Sequence, residues 1–64
     1  KIRLLRQALY QLKPHEREVL IMSKYQELTY KEIGSILNSP EGTIKSRVFR
    51  AIQSLKEIYS VLER

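Results

Sequence analysis

A chain of 64 residues is one domain at most, and so small a domain buries only about 60% of the surface its unfolded chain exposes. It contains no cysteine, which excludes a disulfide staple and a thiolate zinc site. Twelve Lys and Arg against seven Asp and Glu give a formal charge of +5, a bias towards polyanions such as nucleic acid. No stretch approaches the roughly 18 consecutive apolar residues of a membrane span, and no secretory signal is visible. The chain begins with Lys1 rather than Met and is expected to be a domain taken from a longer protein.

Apolar residues recur at helical spacing throughout, which predicts an all-α fold of four helices. The first runs from Ile2 to Leu12, its stripe formed by Ile2, Leu5, Leu9 and Leu12 and widened by Leu4 and Ala8. Lys13-Pro14 ends it, because the residue before a proline avoids the α region. Pro14 then suits the first position of a second helix, where its missing N–H is not needed. Val19, Leu20 and Met22 supply the apolar contacts of that helix, Tyr25 lies near its end, and Gln26, Glu27 and Leu28 form the connection.

The third helix carries a start signal. Thr29-Tyr30-Lys31-Glu32 matches the capping box, in which the Thr hydroxyl and the Glu carboxylate each satisfy a free backbone N–H. Ile33, Ile36 and Leu37 are expected to face the core, and Asn38 to stop the helix in a left-handed conformation. Ser39 reads as an N-cap and Pro40 as the first residue of a fourth helix reaching about Leu62. That helix has the stripe Ile44, Val48, Ala51, Ile52, Leu55, Ile58, Tyr59 and Leu62, long enough for its tail to pack on the first helix. The expected core is Leu5, Leu9, Val19, Leu20, Ile33, Ile36, Leu37, Ile44, Val48, Ile52 and Leu55.

A short capped helix, a tight Asn-Ser-Pro turn and a longer basic helix make the helix-turn-helix pattern, whose second helix can enter the major groove. At about 100° per residue, Ser46, Phe49, Arg50 and Gln53 cluster opposite the apolar stripe of the fourth helix, flanked by Lys45 and Arg47. Arg can bond guanine, Gln adenine and Ser either, while Phe can touch a thymine methyl. The bland alternative is that Phe49 folds back on the core and the charges are a solvated face. Tyr30 and Lys31 open the third helix, which in this motif crosses the phosphate backbone; Tyr30 could equally pack and Lys31 be solvated. Free N–H groups near Gly42 and Thr43 suit a phosphate, and Gly42 permits close backbone approach or serves packing alone.

His15 has no second ligand nearby and reads as an exposed residue, not a metal site. Glu16 and Glu18 are two apart on a helix and face different directions. No nucleophile–base set or phosphate-cradling loop is present, so neither an enzyme nor a cofactor is expected.

Three strings carry a resemblance: Leu12-Lys13-Pro14-His15-Glu16-Arg17-Glu18-Val19-Leu20, Leu28-Thr29-Tyr30-Lys31-Glu32-Ile33, and Glu41-Gly42-Thr43-Ile44-Lys45-Ser46-Arg47-Val48-Phe49-Arg50-Ala51. They resemble region 4 of bacterial extracytoplasmic-function sigma factors, the last being similar to that group's "GTVKSR..RA" signature. The resemblance covers nearly the whole chain, residues 1–64. It implies recognition of the promoter −35 element, docking on the β flap of RNA polymerase, an anti-sigma factor in many members, and a bacterial cytoplasmic location. Carried over by position, base-proximal residues fall on Lys45, Ser46, Phe49 and Arg50, and phosphate contacts near Tyr30, Lys31, Thr43 and Arg47. The family often has a further Arg where Ile52 stands. Its promoter-melting region lies outside these strings, so this chain alone is not expected to initiate transcription.

The output domain of a LuxR-type response regulator shares the "Leu…Arg-Glu…Val-Leu" and "Lys-Glu-Ile" elements. That group usually has Thr-His where Ser46-Arg47 stand here. A protein-interaction module that binds an acidic partner is a different class, and a basic amphipathic helix lying on a membrane is another. The stripe of the fourth helix is better explained as core than as a membrane face. A monomer is expected, because no heptad seam extends beyond the core stripe.

Overall fold

The computed structural model describes residues 2–64, and its elements are helical throughout. Helix α1 spans Ile2–Gln11, α2 Pro14–Leu20, α3 Tyr30–Leu37 and α4 Glu41–Glu63; α2 runs on into a π-helical turn, Ile21–Tyr25. The 23 residues of α4 form the mast of the domain, with α1, α2 and α3 all packed against it. At about 1.5 Å per residue this helix sets the 38 Å length of a body only 18 by 15 Å across.

The core lies where the four stripes meet: Leu12, Val19, Leu20, Ile33, Ile44, Val48 and Ala51 form one buried cluster, and Ala8 is buried as well. Ile33 and Ile44 are fully enclosed, and Val48 is 1% exposed. Leu9, Leu37, Ile52 and Leu55 are half-buried around this cluster. Leu5 is also half-buried and borders the cleft beside Leu55 and Tyr59 on the tail of α4, which places α1 against that tail as expected.

Two apolar positions do not follow the sequence reading. Ile36, expected in the core, is 58% exposed. The buried face of α3 runs through Tyr30, Ile33, Gly34 and Leu37, and at about 100° per residue Ile36 points roughly a quarter-turn or more away from its centre. Ile2, placed on the α1 stripe, is exposed at the first turn of that helix.

Pro14 occupies the first turn of α2, and the Lys13 carbonyl accepts from the N–H groups of Glu16 and Arg17, each at 3.0 Å. Arg17 then reaches back across the junction. Its Nη2 donates to the Leu12 carbonyl at 3.3 Å and, at the limit of a hydrogen bond, to the Tyr10 carbonyl at 3.5 Å. Its guanidinium carbon lies 5.6 Å from the centre of the Tyr10 ring. A cation at the last carbonyls of a helix complements their partial negative charge, so Arg17 latches the end of α1 to α2.

The end of α2 differs from a regular helix. Gln26 N–H donates to the Ile21 carbonyl, five residues back, and Leu28 N–H to the Met22 carbonyl at 2.9 Å. The widened turn exposes Ile21 and Tyr25 while seating Leu28 against the core. Closing it puts Glu27 at φ 56°, a left-handed conformation that costs a non-glycine residue about 1–2 kcal/mol.

The capping box forms as the sequence predicts. Thr29 Oγ1 accepts from Glu32 N–H at 3.1 Å, and Glu32 Oε1 accepts from Thr29 N–H at 2.8 Å. The Thr29 N–H, and secondly the Thr29 side chain, hold the Glu32 carboxyl below its usual 4.5 against a small opposing desolvation. The folded chain therefore binds this proton less readily than the unfolded one. The resulting stabilisation is complete above about pH 4.5 and fades as pH falls through the lower folded value. Thr29→Ala is expected to lower stability by about 1 kcal/mol at neutral pH. Glu32→Gln is expected to flatten the stability profile specifically below pH 4.5. Urea midpoints across a pH series check both, and an unchanged acid limb in Glu32→Gln would remove this account of the box.

Candidate nucleic-acid interface

Helices α3 and α4 are joined by a turn built from hydrogen bonds. Asn38 takes φ 55° and ψ 48°, the left-handed conformation expected of it, and its N–H and that of Ser39 both reach the Gly34 carbonyl. The start of α4 falls one residue later than the sequence reading. Pro40, not Ser39, is the N-cap, with φ −61° and ψ 148°, and its carbonyl accepts the first helical bond, from Ile44 N–H at 3.1 Å. The Ser39 hydroxyl does not cap α4; it donates backwards to the Leu37 carbonyl at 3.3 Å.

This fold-back brings the turn hard onto α3. A Cβ added at Gly34 would lie 2.6 Å from the Ser39 carbonyl oxygen, a contact with backbone that no side-chain rotation relieves. Gly34 is thus the residue that sets the approach of the two helices, a role the sequence reading did not assign. A Cβ at Gly42 would meet nothing within 4 Å, so packing within this chain does not require glycine there.

Helix α4 then presents one face outward. With Ile44, Val48 and Ala51 buried, Lys45, Ser46, Phe49, Arg50 and Gln53 are exposed. Phe49 is 66% exposed and does not fold back on the core. Arg47 and Thr43 are half-buried on the flank of the same helix. On α3, Lys31 is exposed, whereas Tyr30 packs against the core with part of its surface left open. The first turn of α4 is exposed at Glu41 and Gly42, and the Glu41 carboxylate there opposes an incoming phosphate.

Two open grooves border the α4 face. One, about 430 Å³, lies between α3 and the start of α4 and is lined by Lys31, Ser35, Asn38 and Glu41 among others. The other, about 460 Å³, lies between the start of α2 and α4 and is lined by Lys13, His15, Glu16, Arg47 and Arg50. Ser54 Oγ donates to Glu16 Oε2 at 3.4 Å, tying α2 to α4 beside that second groove. Among the described residues no cluster of His, Cys, Asp or Glu could hold a metal ion.

A short helix, a tight left-handed turn and a second helix with an open basic face constitute a helix-turn-helix. Residues 8–57 match the family model described as Sigma-70, region 4. The chain belongs to that family. Region 4 of this chain is 42% identical over 50 residues to the ECF RNA polymerase sigma factor SigM of Bacillus subtilis (strain 168), an alignment covering 78% of the chain and 31% of SigM. It is 36% identical over 53 residues to SigW of the same organism, covering 83% of the chain and 28% of that protein. To the RNA polymerase sigma-H factor of Pseudomonas aeruginosa it is 31% identical over 58 residues, 91% of the chain and 30% of the relative. The chain therefore spans about a third or less of the sigma factors it matches. Among the described residues of this region 4, no helix is long and apolar enough to cross a membrane.

Proposed function

We propose that residues 1–64 are the region 4 domain of an extracytoplasmic-function sigma factor, and that they read the promoter −35 element for RNA polymerase in a bacterial cytoplasm. The observation that carries this reading is the outward face of α4, where Phe49 and Arg50 stand exposed directly behind the buried Ile44, Val48 and Ala51. A solvated helix gains nothing from an exposed phenylalanine, whereas a helix in the major groove can lay one on a base edge.

In this proposal Lys45, Ser46, Phe49 and Arg50 approach the bases. Lys31, Thr43, Arg47 and the remaining open edge of Tyr30 meet phosphates. The domain acts as a monomer without catalysis or cofactor, because an asymmetric promoter element does not demand two-fold symmetry. The β flap of the polymerase, and an anti-sigma factor if one regulates the parent protein, are its protein partners. The exposed Tyr10 and Ile21, on α1 and at the end of α2, offer apolar contact area for them outside the α4 face.

The test begins with a −35 duplex selected from a random library by the parent sigma factor in holoenzyme. Fluorescence anisotropy of the 64-residue chain should then show tighter binding to that duplex than to a scrambled one. Lys31→Ala should weaken both complexes by the same factor and make the slope of log K against log salt shallower by about 1, as loss of one phosphate contact requires. A loss confined to the selected duplex would mean that Lys31 reads sequence instead.

A further inference from the structure

We propose that the start of α2 is a second phosphate-binding edge of this domain, in which Lys13 and His15, together with Arg47, grip the DNA strand on the side of α4 opposite α3. This rests on the promoter-binding reading above and extends its footprint beyond the helix-turn-helix.

The argument begins with the geometry of α4. At about 100° per residue, Glu41 and Lys45 lie on one flank of the helix and Arg47 and Arg50 towards the other, with Ser46 and Phe49 between them. The first flank faces the groove shared with α3, where Lys31 stands. The second faces the groove shared with α2, where Lys13 and His15 stand. The major groove is about 12 Å wide and is bordered by a phosphate backbone on each side. A helix seated in it therefore has a strand along both flanks. Helix α3 serves one of them, and the start of α2 is what this fold places beside the other.

The chemistry of the edge suits phosphate. Lys13, Arg47 and Arg50 bring three cationic side chains to a groove that holds one carboxylate, Glu16, and that carboxylate already accepts from Ser54. His15 adds a ring N–H donor. Lys13 and His15 are both exposed, and the Lys13 side chain caps nothing in its own helix. The backbone that carries them is nevertheless fixed. Leu12 is buried, Pro14 locks the next φ, and the Lys13 carbonyl holds two N–H groups of α2. A long cation on a fixed stem beside an open groove meets a backbone phosphate with little further ordering.

The test uses the 64-residue chain with Lys13→Ala and His15→Ala combined, and its melting curve as a check that the fold persists. Affinity for the selected and the scrambled duplex should fall together, roughly 3- to 10-fold at 0.1–0.2 M salt, and the salt slope should become shallower by about 1. The ratio of the two affinities should not change. A scan of duplexes carrying one methylphosphonate at a time should reveal a phosphate whose neutralisation weakens the wild-type chain and leaves the double variant unaffected. An unchanged affinity and slope, in a chain where Lys31→Ala still shows its loss, would overturn the proposal. So would a uniform weakening with no such phosphate, since that is long-range attraction and not a contact. Should the wild-type chain prefer neither duplex, sequence reading by the isolated chain fails and the promoter reading passes to the holoenzyme, while the slope and the scan on the scrambled duplex still decide this one.

Discussion

Gly34→Ala is expected to destabilise the domain by about 1–3 kcal/mol, although alanine is the better helix former by about 1 kcal/mol. The added methyl would stand 2.6 Å from the Ser39 carbonyl oxygen, so either α3 and the turn separate or the Asn38 conformation is lost. Both responses loosen Ile33 and Leu37 against α4. In a domain of this size the whole margin is a few kcal/mol, and Gly34→Val should leave little folded chain at 25 °C. Gly42→Ala is the matched control. Its methyl enters open space, so stability should stay level or rise by as much as about 1 kcal/mol. If Gly42 serves close approach of the α4 backbone to a phosphate, that variant loses DNA affinity while keeping its fold. Urea denaturation of the two alanine variants side by side decides the matter. Equal stabilities would show that the turn gives way without strain and that Gly34 has no special place in it.

The contrast between these glycines marks what the sequence could and could not disclose. The capping box and the Asn38 turn were legible because each is written in neighbouring residues whose hydrogen bonds close within one turn of chain. The outward face of α4 was legible because a helix of 23 residues repeats its period often enough to fix which side is buried. Gly34 was not, since its constraint comes from a carbonyl five residues on that reaches it only after the turn has folded. Ile36 was misplaced for a related reason. An eight-residue helix has too few apolar positions to define its own stripe, and Tyr30 and Gly34 rotated the buried face away from it. The π turn at Ile21–Tyr25 left no local mark, because it follows from seating Leu28 on the core. Lys13 and His15 escaped the sequence reading of the site because only the packing of α2 on α4 brings them beside Arg47.

Arg50→Ala is expected to weaken binding to the selected −35 duplex by about 1–3 kcal/mol and to relax preference at one base pair, the signature of a lost hydrogen-bonded base contact. Phe49→Ala should likewise reduce discrimination, through loss of apolar contact with a base edge. Neither substitution should lower the melting temperature much, since both side chains are exposed and outside the core cluster. That separation is what makes the pair informative: a core residue such as Val48 could abolish binding merely by unfolding the chain. In anisotropy titrations across a salt series, the two variants should lose affinity for the selected duplex and much less for the scrambled one. Equal losses on both duplexes would make α4 an electrostatic anchor and leave sequence reading to another element. The decisive form of the experiment is transcription by holoenzyme, where the polymerase holds region 4 in place at the promoter. There the double variant should redistribute initiation among promoters that differ only in the −35 element. Unchanged promoter choice with both Phe49 and Arg50 replaced would remove the proposed reading mechanism, even if the domain still binds DNA.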